Sequence, residues 1–114
     1  MIKFSVVTCT YNAEAVLQRT LDSVMKQTYC NIEHLIIDGV SKDKTMALVK
    51  AYQHKNDVGE SAHDIVVFSE HDKGLYDAMN KGIDRATGDY LIFLNAGDVF
   101  PSAETLEFVE GCVG

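Results

Sequence analysis

Two rhythms of apolar and polar residues run along this chain. Short, nearly continuous apolar runs predict strands buried on both faces. Stretches with apolar residues three and four apart predict helices with one buried face. Residues 3–9, Lys-Phe-Ser-Val-Val-Thr-Cys, predict the first strand. From Glu14 to Gln27, Leu17, Thr20, Leu21, Val24 and Met25 form one helical face, with Asn12 placed to cap it. Residues 33–38 predict a second strand, and Gly39, Ser41 and Asp43 mark the turn into a helix whose face is Met46, Val49 and Tyr52, with Leu48 beside it. Residues 54–63 are polar and read as a mobile loop. Asp64–Ser69 predicts a third strand, Glu70–Gly74 a polar loop, and Leu75–Ala86 a third helix with Leu75, Met79, Ile83 and Ala86 on one side and Gly88 as its terminator. Tyr90–Leu94 predicts a fourth strand, Asn95–Asp98 a tight loop, and Pro101 opens a last short helix over Ser102–Val109.

Strands and helices that alternate, with strands apolar on both faces, imply a three-layer α/β fold with a mainly parallel sheet. The 114 residues are divided most economically as one domain, 1–114, without internal repeats. At that size roughly two thirds of the unfolded surface is buried. Acidic residues outnumber basic ones by 17 to 10, so the net charge of -7 argues against a nucleic-acid groove. An anionic ligand would need local help from a cation or from backbone N–H groups. No apolar run approaches the ~18 residues of a membrane span, and the N-terminus enters a strand directly, without a signal-peptide pattern. Cys9, Cys30 and Cys112 are odd in number and show no paired spacing, so they read as reduced thiols of a cytoplasmic protein. His34, His54, His63 and His71 have no metal-ligand spacing and read as exposed or peripheral histidines.

Parallel α/β sheets hold ligands beyond the carboxyl ends of their strands. Thr8, Thr10 and Tyr11 come at that edge after strand one, Asp38 at the end of strand two, Asp72 after strand three, and Asn95 and Asp98 after strand four. Turn chemistry accounts for any one of these aspartates; their convergence on one rim is the more informative feature. A carboxylate cluster without a basic cluster suits an anion when a divalent cation intervenes, and oxygen-rich sites suit Mg2+ or Mn2+. Asp98 is the best single ligand candidate. A carboxylate can also accept an N–H from uracil, and the Tyr11 ring can pack on a base. GxxxxGK[ST], GxGxxG after strand one and GxSxG are all missing, which argues against P-loop hydrolysis, dinucleotide binding and a serine-hydrolase elbow.

Taken in order, these segments resemble the N-terminal, nucleotide-sugar-binding half of an inverting family 2 glycosyltransferase of GT-A fold, in its bacterial surface-polysaccharide branch. The resemblance rests on Phe4–Asn12, on Thr20–Val24 with Gln27-Thr28-Tyr29, on Ile36–Gly39 with Ser41, Asp43 and Thr45, and on Tyr90–Asp98. The run Ser69–Gly82, Ser-Glu-His-Asp-Lys-Gly-Leu-Tyr-Asp-Ala-Met-Asn-Lys-Gly, carries it most specifically. It implies that Thr8, Tyr11, Asp38 and Asp72 line a nucleoside pocket and that Lys73 approaches a phosphate or the donor sugar. Asp98 would match the last aspartate of a DxD-like metal motif and Asn95 its leading position, with Gly97 where many members carry a second aspartate. Asn80 and Lys81 read as helix surface with local bonding.

The implied reaction transfers a sugar from a nucleoside-diphosphate sugar, uridine-linked, to a hydroxyl of a saccharide or lipid-linked acceptor at the cytoplasmic face of a membrane. Members of the family are about twice this length, and the resemblance places the general base, the acceptor site and further strands beyond residue 114. None of the carboxylates present matches that base. The expectation is therefore an amino-terminal portion of an enzyme, closing on Gly-Cys-Val-Gly without a helix stop and leaving a free sheet edge open to a second copy of the chain. The alternatives are a non-catalytic nucleotide-sugar-binding module, a nucleotidyltransferase lacking its glycine- and basic-rich loop, and a response-regulator-like domain lacking its acidic pair after strand one.

Overall fold

The structure, a computed structural model, describes residues 2–59 and 63–113. Among these, strands and helices alternate as β1 (Phe4–Thr10), α1 (Leu17–Met25), β2 (Ile32–Asp38), α2 (Thr45–Val58), β3 (Asp64–Ser69), α3 (Leu75–Arg85), β4 (Tyr90–Phe93) and α4 (Thr105–Val113). The strands form one fully parallel sheet in the order β3-β2-β1-β4, which is the predicted α/β architecture. Every residue of β1 and β2 is buried, whereas β3 and β4 at the edges are only partly so.

Parallel strands joined by helices cross over with one hand. Winding outward from β1 through β2 to β3 therefore sets α1 and α2 on one face, and the return to β4 sets α3 on the other. On the first face Leu17, Leu21, Ile36, Val49 and Tyr52 pack together, and Leu106 of α4 joins Phe4, Val6 and Val24. On the second, Val7, Cys9, Leu35 and Ile37 pack beneath Ala78 of α3.

Several local expectations are corrected. Asn12 does not cap α1, which starts at Leu17; it sits at φ 47, and its side-chain oxygen accepts the Lys42 N–H. Residues 54–58 complete α2, because Asn56 lies one turn beyond Tyr52 on the buried face and donates to the His63 carbonyl. The remainder of that predicted loop, residues 60–62, lies outside the described residues. The last helix starts three residues later than expected and continues to Val113.

In α3 the buried positions are Ala78 and Gly82; of the predicted face Met79 and Ala86 do pack against the core, while Leu75 and Ile83 remain 52% and 50% exposed. Periodicity alone selects large apolar residues, but at its point of closest approach the helix lies too near β1 for one. A Cβ on Gly82 would stand 2.5 Å from Cγ1 of the buried, β-branched Val7. Gly88 is likewise not a helix stop: α3 already ends at Arg85, and a Cβ on Gly88 would meet Ser5 Oγ at 2.6 Å as the chain passes β1.

The histidine expectation also fails for His34 and His63, which are buried. His34 lies fully inside the core, with Nε2 2.7 Å from Thr8 Oγ1 and Nδ1 2.8 Å from the Tyr52 hydroxyl. Burial pushes its pKa down to about 3, so it is neutral at pH 7 with both ring nitrogens satisfied.

Two outcomes are expected. Gly82→Ala gains about 1 kcal/mol of helix propensity but overpacks the Val7 contact by more, so urea unfolding should show a net loss of about 1–2 kcal/mol. His34 is a group whose folded pKa lies below its unfolded value, so the unfolded chain binds the proton first. Stability should fall as pH drops below about 6.5, by up to ~1.4 kcal/mol per pH unit, until the folded-state pKa is reached. A pH series of urea midpoints should lose that slope in His34→Gln, which is less stable at pH 7.

Candidate functional site

A parallel sheet delivers the carboxyl ends of all its strands to one edge, and here the winding reverses between β1 and β4. Thr10, Asp38 and Ser69 are register partners across β1, β2 and β3 at that edge. Asp38 is fully buried. Its Oδ1 accepts from Thr10 Oγ1 at 2.7 Å and Ser41 Oγ at 2.6 Å, and its Oδ2 from the Ser41 N–H at 2.9 Å and Ser69 Oγ at 3.0 Å. Burial raises its pKa, but hydrogen bonds from Ser41, Thr10 and Ser69 outweigh that and hold it below the usual carboxylate value. One carboxylate thus knots three strand ends to the β2–α2 turn.

That turn is stitched in its own right to the β1–α1 loop. Asn12 N–H donates to Ser41 Oγ, Ala13 N–H to Thr45 Oγ1 and Glu14 N–H to Asp43 Oδ2. The alternation of Ser41, Asp43 and Thr45 in the sequence therefore supplies one oxygen for each successive amide. Val40, in the same turn, sits at φ 63, a left-handed conformation that is costly for a β-branched residue.

Beside this knot, on the α3 face, lies a cavity of about 440 Å³. Cys9, Gly39 and Ala78 contribute to its lining, with Tyr11, Lys42, His71 and Asp72 around them. Asp72 Oδ1 accepts the Gly74 N–H at 3.0 Å. Its Oδ2 reaches over Gly39, where an added Cβ would stand 2.8 Å from that oxygen and 3.3 Å from the Tyr11 ring. Gly39 is thus the vacancy that lets Asp72 present a carboxylate oxygen next to an aromatic ring that is 62% exposed. Burial, and after it the Asp72 charge, push the Cys9 thiol up to about 11, so it is a neutral, inert part of the lining.

The predicted site residues separate in space. Tyr11 and Asp72 line the cavity. Thr8 does not: it is fully buried against His34 on the opposite face, and its neighbour Cys9 takes the lining position because successive strand residues point to opposite sides. Asp38 stands behind the cavity rather than in its lining. Lys73 is exposed at the start of α3, where its N–H donates to Asp77 Oδ2. The sequence reading missed Gly39, Lys42 and His71. Gly39 carried a usable signal, a glycine where a strand meets a polar turn, which marks a close approach.

Asn95 and Asp98 occupy a separate loop after β4. Asp98 N–H donates to the Asn95 carbonyl, and Gly97 between them has φ +100, a turn that requires glycine at its third position. The glycine at 97 is therefore conformational in this chain. Thr20 and Ser23 of α1 hold the loop by accepting the Gly97 and Phe100 N–H groups. Asn95 Oδ1 is buried with no hydrogen-bond partner, and the Asp98 side chain is exposed. These oxygens suit a hard divalent cation. Among the described residues no group of three His, Cys, Asp or Glu could hold a metal.

Comparison with known proteins shows the family and the fold. The family described as Glycosyl transferase family 2 matches residues 5–110. A PGL/p-HBAD biosynthesis glycosyltransferase of Mycobacterium bovis is 38% identical over 111 residues, covering 97% of this chain and 41% of its own length. The chain thus spans about two fifths of that relative. Among solved structures, S. aureus TarS 1-349 in complex with UDP superposes with a TM-score of 0.81 at 25% identity, over 98% of this chain and 32% of that 1-349 chain. A mannosyltransferase from Pyrobaculum calidifontis, in complex with GDP-Man and Mn2+, shares the fold with a TM-score of 0.81 at 23% identity, over 92% of this chain and 30% of its own.

The knot at Asp38 is tested by Asp38→Asn. An amide offers one acceptor oxygen and turns an NH2 toward protein donors, so urea unfolding should show a loss of about 2–3 kcal/mol at pH 7. Because the folded pKa of Asp38 is depressed, its contribution is present above the unfolded value near 4 and lost as pH falls through the folded one. The difference between the wild type and the variant should therefore shrink in acid.

Proposed function

The chain belongs to glycosyl transferase family 2, and we propose that it forms the part of a sugar-transferring enzyme that holds the nucleotide of a nucleoside-diphosphate sugar, uridine diphosphate being the favoured carrier. The observation that carries this reading is the pairing of Asp72 Oδ2 with the exposed Tyr11 ring over Gly39, inside a cavity at the carboxyl edge of the sheet. An aromatic face accepts any base by stacking, while a carboxylate oxygen discriminates. It accepts the imide N–H of uracil and repels a base edge that presents only acceptors.

The loop of Asn95 and Asp98 lies beyond β4, the neighbour of β1, where the diphosphate would extend from a base bound near β1 and β2. Asp98 and Asn95 would hold Mg2+ or Mn2+ there. When bound, such a cation supplies charge neutralisation on the departing diphosphate. Lys73 would stand as a mobile cation near the donor. In the reaction the acceptor hydroxyl oxygen bonds to the anomeric carbon from the face opposite the diphosphate, inverting that centre. The C–O bond to the nucleoside diphosphate breaks, and the hydroxyl proton passes to a carboxylate base. That base and the saccharide or lipid-linked acceptor site are assigned to the portion that the longer relatives possess. Attachment to the cytoplasmic face of a membrane and pairing of two copies along β4 belong to the same proposal.

Calorimetric titration with uridine, guanosine and adenosine diphosphates, with and without Mn2+, tests the reading. Uridine diphosphate should bind most tightly and need the cation, and Asp72→Ala should weaken it by about tenfold or more. Equal affinity for adenosine diphosphate would overturn the base assignment. Binding indifferent to chelator and to Asp98→Ala would overturn the cation.

A further inference from the structure

Residues 70–74, between β3 and α3, present both His71 and Asp72 to the cavity, and all but Asp72 are exposed. The ends of this loop are fastened by backbone groups. The Glu70 N–H donates to the Asp38 carbonyl at 3.0 Å. At the other end the Lys73 N–H donates to Asp77 Oδ2 at 2.9 Å, and the Gly74 N–H to Asp72 Oδ1. Gly74 itself has φ +116, and α3 starts without a side-chain cap. Among the described residues, one side chain from outside the loop bonds to its middle. Lys81, two turns into α3, donates from Nζ to the His71 carbonyl at 2.6 Å. The same ammonium lies 3.6 Å from Glu70 Oε1 and 3.8 Å from Asp77 Oδ2, and its side chain is only 20% exposed.

We infer that Lys81 is a positioning residue for nucleotide binding: its ammonium fixes the β3–α3 loop so that Asp72 reaches across Gly39. Two carboxylates neutralise Lys81 where it stands, so its charge is spent locally and not on the ligand. A charge-assisted bond to a backbone carbonyl is stronger than a neutral one and directional. It holds the carbonyl one residue before Asp72, whereas Glu70 and Asp77 each hold an end. Arg85, whose guanidinium lies 4.0 Å from the centre of the Phe68 ring and 3.7 Å from Glu70 Oε1, steadies Glu70 but makes no bond to the loop's middle. The inference rests on the nucleotide reading above for its ligand, though not for its geometry.

The test combines uridine diphosphate titration with amide hydrogen exchange on the protein and on Lys81→Met and Lys81→Arg. In Lys81→Met, Kd should rise about tenfold, the scale of one charge-assisted bond. Exchange at residues 71–74 should quicken, while the thermal midpoint and exchange in β1 and β2 stay close to wild type. Lys81→Arg, which can still donate to the His71 carbonyl, should restore most of both. If Lys81→Met binds as the wild type does, or if its loop exchanges no faster, the positioning role is overturned. A lowered midpoint with exchange faster throughout would also overturn it, as a purely structural role. If the wild type binds no nucleoside diphosphate, the nucleotide reading fails, while the exchange data still decide whether Lys81 fastens the loop.

Discussion

The Asp38 carboxylate is the constraint on which the working edge of this domain depends. A parallel sheet aligns strand ends but leaves their last backbone and hydroxyl groups unsatisfied. Asp38, itself fully buried, takes up Thr10 from β1, Ser69 from β3 and both donors of Ser41. A charge there is tolerable only because each oxygen receives two donors. The consequence is geometric. The β1–α1 loop, the β2–α2 turn and the start of the β3–α3 loop spring from one rigid point, and the cavity lies between them.

Close approach shapes the rest of the site. Gly82 lets α3 settle on Val7, which brings Ala78 and the loop before it down to Cys9. Gly39 then leaves room for the Asp72 oxygen. The cavity and the Asn95–Asp98 loop are built on different elements, the first on α3 and the second on α1 through Thr20 and Ser23. They share β1 as a neighbour.

Much of this was legible from residue order. The continuous apolar runs marked the strands because both faces of β1 and β2 are covered, and β3 was located to the residue. Asp72 and Tyr11 were recognisable because polar side chains just past buried strands have few roles other than turns and ligands. Thr8 and Asp38 read the same way yet turned inward. A strand residue's side is settled by which helix covers which face, and a buried carboxylate's role by how many donors surround it. Half of the α3 face, Leu75 and Ile83, was misread for a related reason, since periodicity ranks residues by hydrophobicity whereas tight helix–strand contact selects them by size.

By itself, then, the amino-acid order determined the alternation of elements, the parallel sheet and the edge at which chemistry would gather. Those follow from local propensity and from solvent exclusion, both written residue by residue. Only the tertiary structure decided which aspartate faces the cavity, why position 39 is glycine, and that Lys81 reaches back to the His71 carbonyl. Those depend on distances between segments far apart in the chain, and such distances exist only once the helices have settled on the sheet.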